Sequence, residues 1–413
     1  LRGAVEAAHP HLSALCDIPG RLHIAGATET GECLIAARED GSFLVLSGRW
    51  YHDESLEAVL ESWLSSGESA LSDVYFQGLL AGWDDRRGRF ALLRDRYGVE
   101  TGYYAEWENG ILFSDEQRAL VRVGVERTPD PVAIDAFLTC GYFPSPLTPY
   151  RAISKLAPGT ALGVDGGGRS LERWGRHEPK ASIPYADAVR LMPDALGAAV
   201  ERVWPDRGGV GVLLSGGIDS AMVLATITKM MGKQATAFTF RYEDYDGPLN
   251  EFDAARVVSS HLNVGHEQIP IGPDDLIEDL DAAVTGYGEP LNWGLHSYRL
   301  HPLAEAGIDA VFSGVGADGT GLTKRHSAAL RFHSLPSPAK ALTRVAVRAA
   351  RPLRLAAQPR MEWVTRKTTG TGDLFSPDSA WDRAQRARLY TDPSLAQDGS
   401  RRLAAILARG SAA

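Results

Sequence analysis

Cysteine is scarce in this chain. Its 413 residues include three, Cys16, Cys33 and Cys140, an odd number without Cys-x-x-Cys spacing. That excludes a disulfide framework, offers no zinc-site pattern and fits a reducing, cytoplasmic setting. Long apolar runs are also lacking. None approaches the roughly 20 residues that cross a bilayer, and the sequence opens at Leu1 without the charged-then-apolar order of a signal peptide. Basic excess is missing too, with 43 Lys and Arg against 52 Asp and Glu and a formal charge of −9. No broad positive field is available to a nucleic-acid backbone, so neither nucleic acid nor membrane is an expected partner.

What the chain does have is apolar material, 44% of residues, enough for two cores at this length. Residues 21 to about 120 hold short strand-like runs, CLIAARED, FLVLSGRW, FALLRDRYG and GILFSD, separated by Gly, Asp and Asn turns. From about Tyr185 the period changes: YADAVRLMPDALGAAVERVW has apolar residues at helical spacing despite Pro193, and strand-like and helical runs then alternate. The Gly-rich, charged stretch GVDGGGRSLERWGRHEPKAS lies between them. The expected domains are therefore 1–180, rich in strands, and 181–413, an α/β unit with a parallel sheet.

Within the second half, GVGVLLSGGIDS raises a chemical question. Val210 to Leu214 reads as a buried strand, Ser215-Gly216-Gly217 as a turn almost without side chains, and AMVLATITKMM after Ser220 as a helix. Strand, small-residue loop and helix N-terminus make an anion cradle, because glycines let backbone N–H groups approach phosphate and hydroxyls add donors. Asp219 is the odd member. A carboxylate beside phosphates is repulsive unless a cation lies between them, which implies Mg2+.

SGGIDS resembles the PP-loop of the ATP pyrophosphatases, in the form found in the asparagine synthetase family. Asn250-Glu251-Phe252-Asp253-Ala254-Ala255-Arg256, followed by HLNVGHEQI, is similar to that family's acidic helix and next strand, and Ser313-Gly314-Val315-Gly316-Ala317-Asp318 to its second loop. Three ordered motifs over about 110 residues make chance a poor explanation. Earlier, GRFALLRDRYGV, GYYAEWENGILFSDEQRAL and YFPSPLTPYRAISKLAPGTAL resemble the family's glutamine-hydrolysing domain. The resemblance implies an N-terminal Ntn-hydrolase-like, β-rich sandwich and a C-terminal PP-loop α/β synthetase domain, using ATP and Mg2+ as an AMP-forming carbon–nitrogen ligase.

The resemblance also assigns roles. Ser215, Gly216, Gly217 and Ser220 are expected to hold pyrophosphate, and Gly314 from the second loop to contribute to the ATP site. Leu213 and Phe240, ending the first two predicted strands, are expected to flank adenosine, although ordinary sheet core would explain both. Asp219 and Asp318 match the magnesium acids, while a helix cap is the plain alternative for Asp318. Arg366-Lys367-Thr-Thr-Gly370 is one residue off the family's R-x-K-x-G, which makes Lys367 the candidate for stabilising the pentavalent phosphorus, with Lys324 in reserve.

Departures from the pattern are informative. A glutaminase of this kind uses an N-terminal cysteine with its own amino group nearby, whereas this sequence starts Leu1-Arg2; the Arg-bearing RHRGPD stretch is not recognisable, and the Asn-Gly-Glu that grips glutamine reads Ser47-Gly48-Arg49. The expectation is a retained scaffold that produces no ammonia. In that respect the chain is similar in kind to β-lactam synthetase and lasso peptide macrolactam synthetases, in which the substrate supplies its own amine. The expected partners are a small-molecule or peptide carboxylate and an amine; a homodimer stays open, as do intermolecular amide formation and a nucleotide-binding pseudoenzyme. Val315 stands where the family has a Glu or Tyr that helps deprotonate the amine, and Gly319 follows Asp318 in place of an acid. Glu289 and Tyr298 are candidate replacement bases. Val315 itself is expected in an apolar spot, where a carboxylate would be costly.

Overall fold

The computed structural model describes residues 12–18, 22–27, 32–107, 110–175, 183–245, 247, 250–290, 299–317 and 388–389. They fall into two compact units, one within Leu1–Lys180, joined by Arg388 and Leu389, and one within Ala181–Pro377. The expected second domain, 181–413, is thus described mainly up to residue 317.

In the first unit the strands and helices run β1 (Leu12–Ile18), β2 (Leu22–Ala27), β3 (Glu32–Ala37), β4 (Phe43–Trp50), α1 (Leu56–Ser66), β5 (Phe76–Asp84), β6 (Arg89–Arg94), β7 (Tyr103–Trp107), β8 (Gly110–Ser114), α2 (Gln117–Arg122), α3 (Pro131–Cys140), β9 (Ile153–Lys155), β10 (Thr160–Asp165) and β11 (Gly168–Arg173). An antiparallel six-stranded sheet has the order β11-β10-β6-β5-β4-β3; β8-β7-β9 form a second sheet, and β1-β2 a separate pair. Phe43, Leu44, Val45 and Leu46 open β4 and are all buried. Leu44 and Leu46 face the core shared with Leu56, Val59, Leu60 and Trp63 of α1, while Phe43 and Val45 face the core that takes in Tyr104, Ile111 and Phe113 of the small sheet. A strand covered on both faces reads as a continuous apolar run, which is what FLVL is.

Beyond the small sheet, Tyr103, Ala105 and Ile153 pack against Leu120 of α2. The layers are helix, sheet, sheet, helix, the β-rich sandwich the resemblance implies. Local chemistry fits these elements. Ser55 caps α1 by accepting the Ala58 N–H (3.3 Å), and Asp130 caps α3 by accepting that of Val132 (2.9 Å) ahead of Pro131. Buried Arg94 donates to the carbonyls of Glu100 (2.6 Å), Leu156 (2.7 Å) and Gly98 (3.0 Å), tying the end of β6 to two loops.

The second unit opens with α4 (Tyr185–Arg202), which runs through Pro193, and continues β12 (Gly209–Leu213), α5 (Ile218–Ala225) with a π-helical turn at Thr226–Met230, β13 (Thr236–Tyr242), α6 (Phe252–Leu262), β14 (His266–Ile271), α7 (Pro273–Tyr287), α8 (His301–Glu305) and β15 (Ile308–Ser313). Its sheet is parallel with order β14-β13-β12-β15. Successive strands add on one side of β12, and then β15 returns to the other side. The crevice at the carboxyl ends of β12 and β15 is the topological switch point, where open α/β sheets take ligands.

Candidate functional site

The loop after β12 is built from hydroxyls that hold one another. Ser215 N–H donates to Ser220 Oγ (3.2 Å), the two hydroxyls lie 3.1 Å apart, and Gly217 N–H donates to Ser215 Oγ (3.3 Å). Ser220 is buried, whereas Gly217 and Ile218 are exposed. Gly217 precedes helix α5 as its N-cap and offers no side-chain cap, so the first N–H groups of the helix have no capping oxygen from that position. Asp219 sits in its first turn, half-buried.

Two glycines bring the three sequence motifs together. Gly216 has φ +74, and a Cβ there would lie 2.7 Å from the carbonyl carbon and from Cβ of Ala254 and 2.8 Å from Ala255 N. The loop therefore rests on the first turn of α6, inside the Asn250–Arg256 motif. At Gly314 a Cβ would lie 2.5 Å from Ser220 N and 2.8 Å from the Asp219 carbonyl carbon. The second loop thus touches the start of α5 at the residue pair carrying the expected metal ligand. Leu213, Phe240, Ser215, Gly216, Gly217, Asp219, Ser220 and Gly314 all lie at this end of the sheet. Leu213 and Phe240 are half-buried and share a face, packed on Phe238, Ile269 and Leu303.

Two expectations are corrected. Phe240 does not end its strand, because β13 runs on to Tyr242. The extension is secured by Asn250, whose Oδ1 accepts the Tyr242 N–H (2.7 Å) and whose Nδ2 donates to the Tyr242 carbonyl (3.0 Å). Val315 is not in an apolar spot but is 92% exposed. It lies in a turn past β15, with its N–H donating to Ser313 Oγ (3.1 Å) and Ala317 N–H donating to the Gly314 carbonyl (3.3 Å). Asp318, Lys324, Arg366, Lys367 and Tyr298 lie outside the described residues. Glu289 stands just after left-handed Gly288, which ends α7.

Sequence reasoning missed Thr239 and His266. Thr239 is buried, and its hydroxyl donates to the Leu214 carbonyl (2.5 Å) and lies 2.8 Å from His266 Nε2. The His266 ring stacks on Phe252 at 4.4 Å between centroids. Burial, and then the positive charge of Arg256, push the His266 imidazolium below its ordinary range. Desolvation raises the Glu251 carboxyl and, together with Glu251, the Tyr242 hydroxyl. A separate cavity of about 810 Å3, lined among others by Trp204, Lys233 and Asn263, opens at the opposite end of the strands, away from these loops.

In the first unit, Ser47 Oγ donates to Asp115 Oδ2 (2.9 Å) and Arg49 is exposed on β4. Cys33 pairs across the ladder with Ser47. Burial, followed by the Asp115 charge, raises its thiol above the ordinary value, the opposite of an activated nucleophile.

Comparison with known proteins agrees with this geometry. The glutamine amidotransferase domain family matches residues 41–175, and the asparagine synthase family matches residues 192–409. The chain is 22% identical over 270 residues to the glutamine-hydrolyzing asparagine synthetase 1 of Bacillus subtilis, covering 64% of this chain and 42% of that protein. With the glutamine-hydrolyzing asparagine synthetase of Bos taurus it shares 27% over 278 residues, 62% of this chain and 46% of that one. It therefore spans less than half the length of these two relatives. An NH3-dependent NAD synthetase structure from Campylobacter jejuni aligns with a TM-score of 0.23 at 16% identity, over 54% of this chain and 93% of that one. With a family match across more than half its residues, joined to three motifs meeting at one switch point, the chain belongs to the asparagine synthase family.

Proposed function

We propose that this chain is an ATP-dependent, AMP-forming carbon–nitrogen ligase that activates a carboxylate of a small-molecule or peptide substrate and joins it to an amine of the same molecule. One observation carries the reading: Gly216 seats the first loop on α6, and Gly314 seats the second on Asp219 and Ser220, so that a hydroxyl- and N–H-lined cradle faces the switch point.

In this mechanism the substrate carboxylate oxygen attacks the α-phosphorus of ATP, the bond to the bridging oxygen breaks, and pyrophosphate leaves. The amine then attacks the acyl carbon; AMP departs, and one proton passes to solvent as the amide forms. Ser215, Gly216, Gly217, Ser220 and Gly314 hold pyrophosphate, and Leu213 and Phe240 flank adenosine. Lys367 is assigned to the negative charge on phosphorus. Asp219, with Asp318, would hold magnesium, which supplies charge neutralisation along the triphosphate. The residue in view fits that ion: Asp219 offers a half-buried carboxylate in the first turn of α5, directly beside the Ser215–Ser220 loop. Magnesium binds through one or two carboxylates, with phosphate oxygens and water completing its shell.

An intramolecular amine accounts for Val315. Holding the amine beside the activated acyl group can supply up to about 7–11 kcal/mol of the barrier by proximity alone, which makes a dedicated base on the loop less necessary. Arg49 and the unactivated Cys33 thiol support a first unit that does not hydrolyse glutamine. A lactam or macrolactam product places the reaction in natural-product biosynthesis, such as that of antibiotics, in the cytoplasm.

The test is pyrophosphate release from ATP with a panel of amino acids, peptides and amine-bearing carboxylic acids. Release with at least one substrate, lost in Asp219→Ala and Asp318→Ala while the fold is retained, is the expected result. ATP binding without release toward any carboxylate would replace this reading with a pseudoenzyme.

A further inference from the structure

The relay behind the loop has a direction that hydrogen counting fixes. Leu214 lies one residue past β12. Its N–H donates to the Phe238 carbonyl (2.8 Å), and its own carbonyl is taken by the Thr239 hydroxyl (2.5 Å). A carbonyl only accepts, so the single hydroxyl proton of Thr239 is committed to it. The 2.8 Å contact between Thr239 Oγ1 and His266 Nε2 must then be filled by the proton on the ring nitrogen. His266 is consequently the Nε2–H tautomer. Its Nδ1 is buried and has no hydrogen-bond partner among the described residues, and burial, followed by the Arg256 charge, disfavours a second proton on the ring.

The next peptide group shows what the relay holds. Leu214 C=O and Ser215 N–H belong to one planar unit. Its oxygen is fixed by Thr239 and its N–H by Ser220 Oγ (3.2 Å). The chain then turns through Gly216, which rests on Ala254 and Ala255 of α6. The same helix provides Phe252, stacked on His266. One helix therefore sets both the floor of the loop and the ring that orients its entrance.

We propose that His266 is a positioning residue for nucleotide binding. It acts through Thr239 to fix the plane of the Leu214–Ser215 peptide, and hence the direction in which the loop presents its donors. The proposal rests on the ATP-binding reading above and adds to it a residue two strands away from the loop.

Binding of Mg-ATP to the full chain, measured by titration calorimetry alongside thermal melting, tests it. His266→Phe keeps a ring against Phe252 but removes the donor, and Thr239→Val removes the hydroxyl at constant shape. Each should weaken binding about tenfold, the loss of one well-placed hydrogen bond, and the double variant should be no weaker than either single one. His266→Gln and Thr239→Ser, which restore a donor and a hydroxyl, should recover most of the affinity. Val210→Ala, a buried change at the opposite end of β12 beside the separate cavity, should lower the melting temperature and leave affinity intact. Unchanged affinity in His266→Phe, additive losses in the double variant, or an equal loss in Val210→Ala would overturn the relay. Wild-type protein that does not bind Mg-ATP would overturn the parent reading and the relay together.

Discussion

Replacing Gly216 by alanine puts one methyl group where three motifs meet, and its cost can be worked from two independent terms. At φ +74 an L-residue is strained by about 1–2 kcal/mol. The new Cβ would also stand 2.7 Å from Ala254 C and Cβ and 2.8 Å from Ala255 N, and such overpacking costs about 1–3 kcal/mol. The sum, about 2–5 kcal/mol, is large against the stability of a domain. Gly232 provides the control, since its φ is +65 but nothing lies within 4 Å of the place a methyl group would take. Gly232→Ala should therefore show the backbone term alone. Two of the three close atoms at Gly216 are backbone, so adding Ala254→Gly should recover only part of the deficit. Chemical denaturation gives the stabilities and pyrophosphate release gives activity, which should drop about a hundredfold if the loop shifts by an ångström. Equal stability in Gly216→Ala and Gly232→Ala, with activity retained, would refute the seating of the loop on α6.

Three further outcomes are expected. Val315→Glu should leave stability within about 0.5 kcal/mol, as surface changes do, because Val315 is 92% exposed, and should not raise pyrophosphate release; a silent wild type revived by the substitution would contradict the ligase reading. The folded His266 holds its proton less tightly than the unfolded chain, so it adds no pH dependence above about 6.5. Below that, the unfolded state binds the proton first and stability falls until the folded ring is protonated as well; melting curves from pH 8 to 5 should show this extra decline in wild type and not in His266→Phe. Incubation with glutamine, with or without ATP, should yield no glutamate, and measurable production would restore the amidotransferase role that Arg49 argues against.

The strand-rich first half and the strand, loop and helix around Ser215 are legible in the sequence because they are local. Val210 to Ser220 carries its strand, loop and helix within eleven residues, and FLVLSGRW reads as a strand, the one observed as β4. What stays hidden depends on residues remote in sequence. Thr239 reaches Leu214 across 25 positions and His266 reaches Thr239 across 27, and no periodicity encodes such a link. In the sequence the glycines make room for phosphate, whereas in the fold Gly216 and Gly314 also make room for α6 and α5. Val315 misleads because an apolar side chain between two glycines fits a packed strand end and a turn tip equally well. Phe240 reads as a strand end because charged Arg241 follows it, while the side chain that prolongs the strand, Asn250, belongs to the next motif.

The switch-point topology also sets a timetable for synthesis. Strand β15 pairs with β12 from Gly209↔Ile308 to Leu213↔Ser313, across roughly a hundred residues of chain. The wall formed by β12, β13 and β14 comes from residues made earlier, and one edge of β12 must wait with its backbone groups unmatched. Closing so long a loop adds little entropy beyond a shorter one, but distant parallel pairing is slow, and an open strand edge invites association with other chains. On the proposed reading, competence to bind nucleotide therefore waits for β15. A nucleotide that bridges the two loops would then hold the late strand in place, and its supply would couple to recovery of folded protein by mass action.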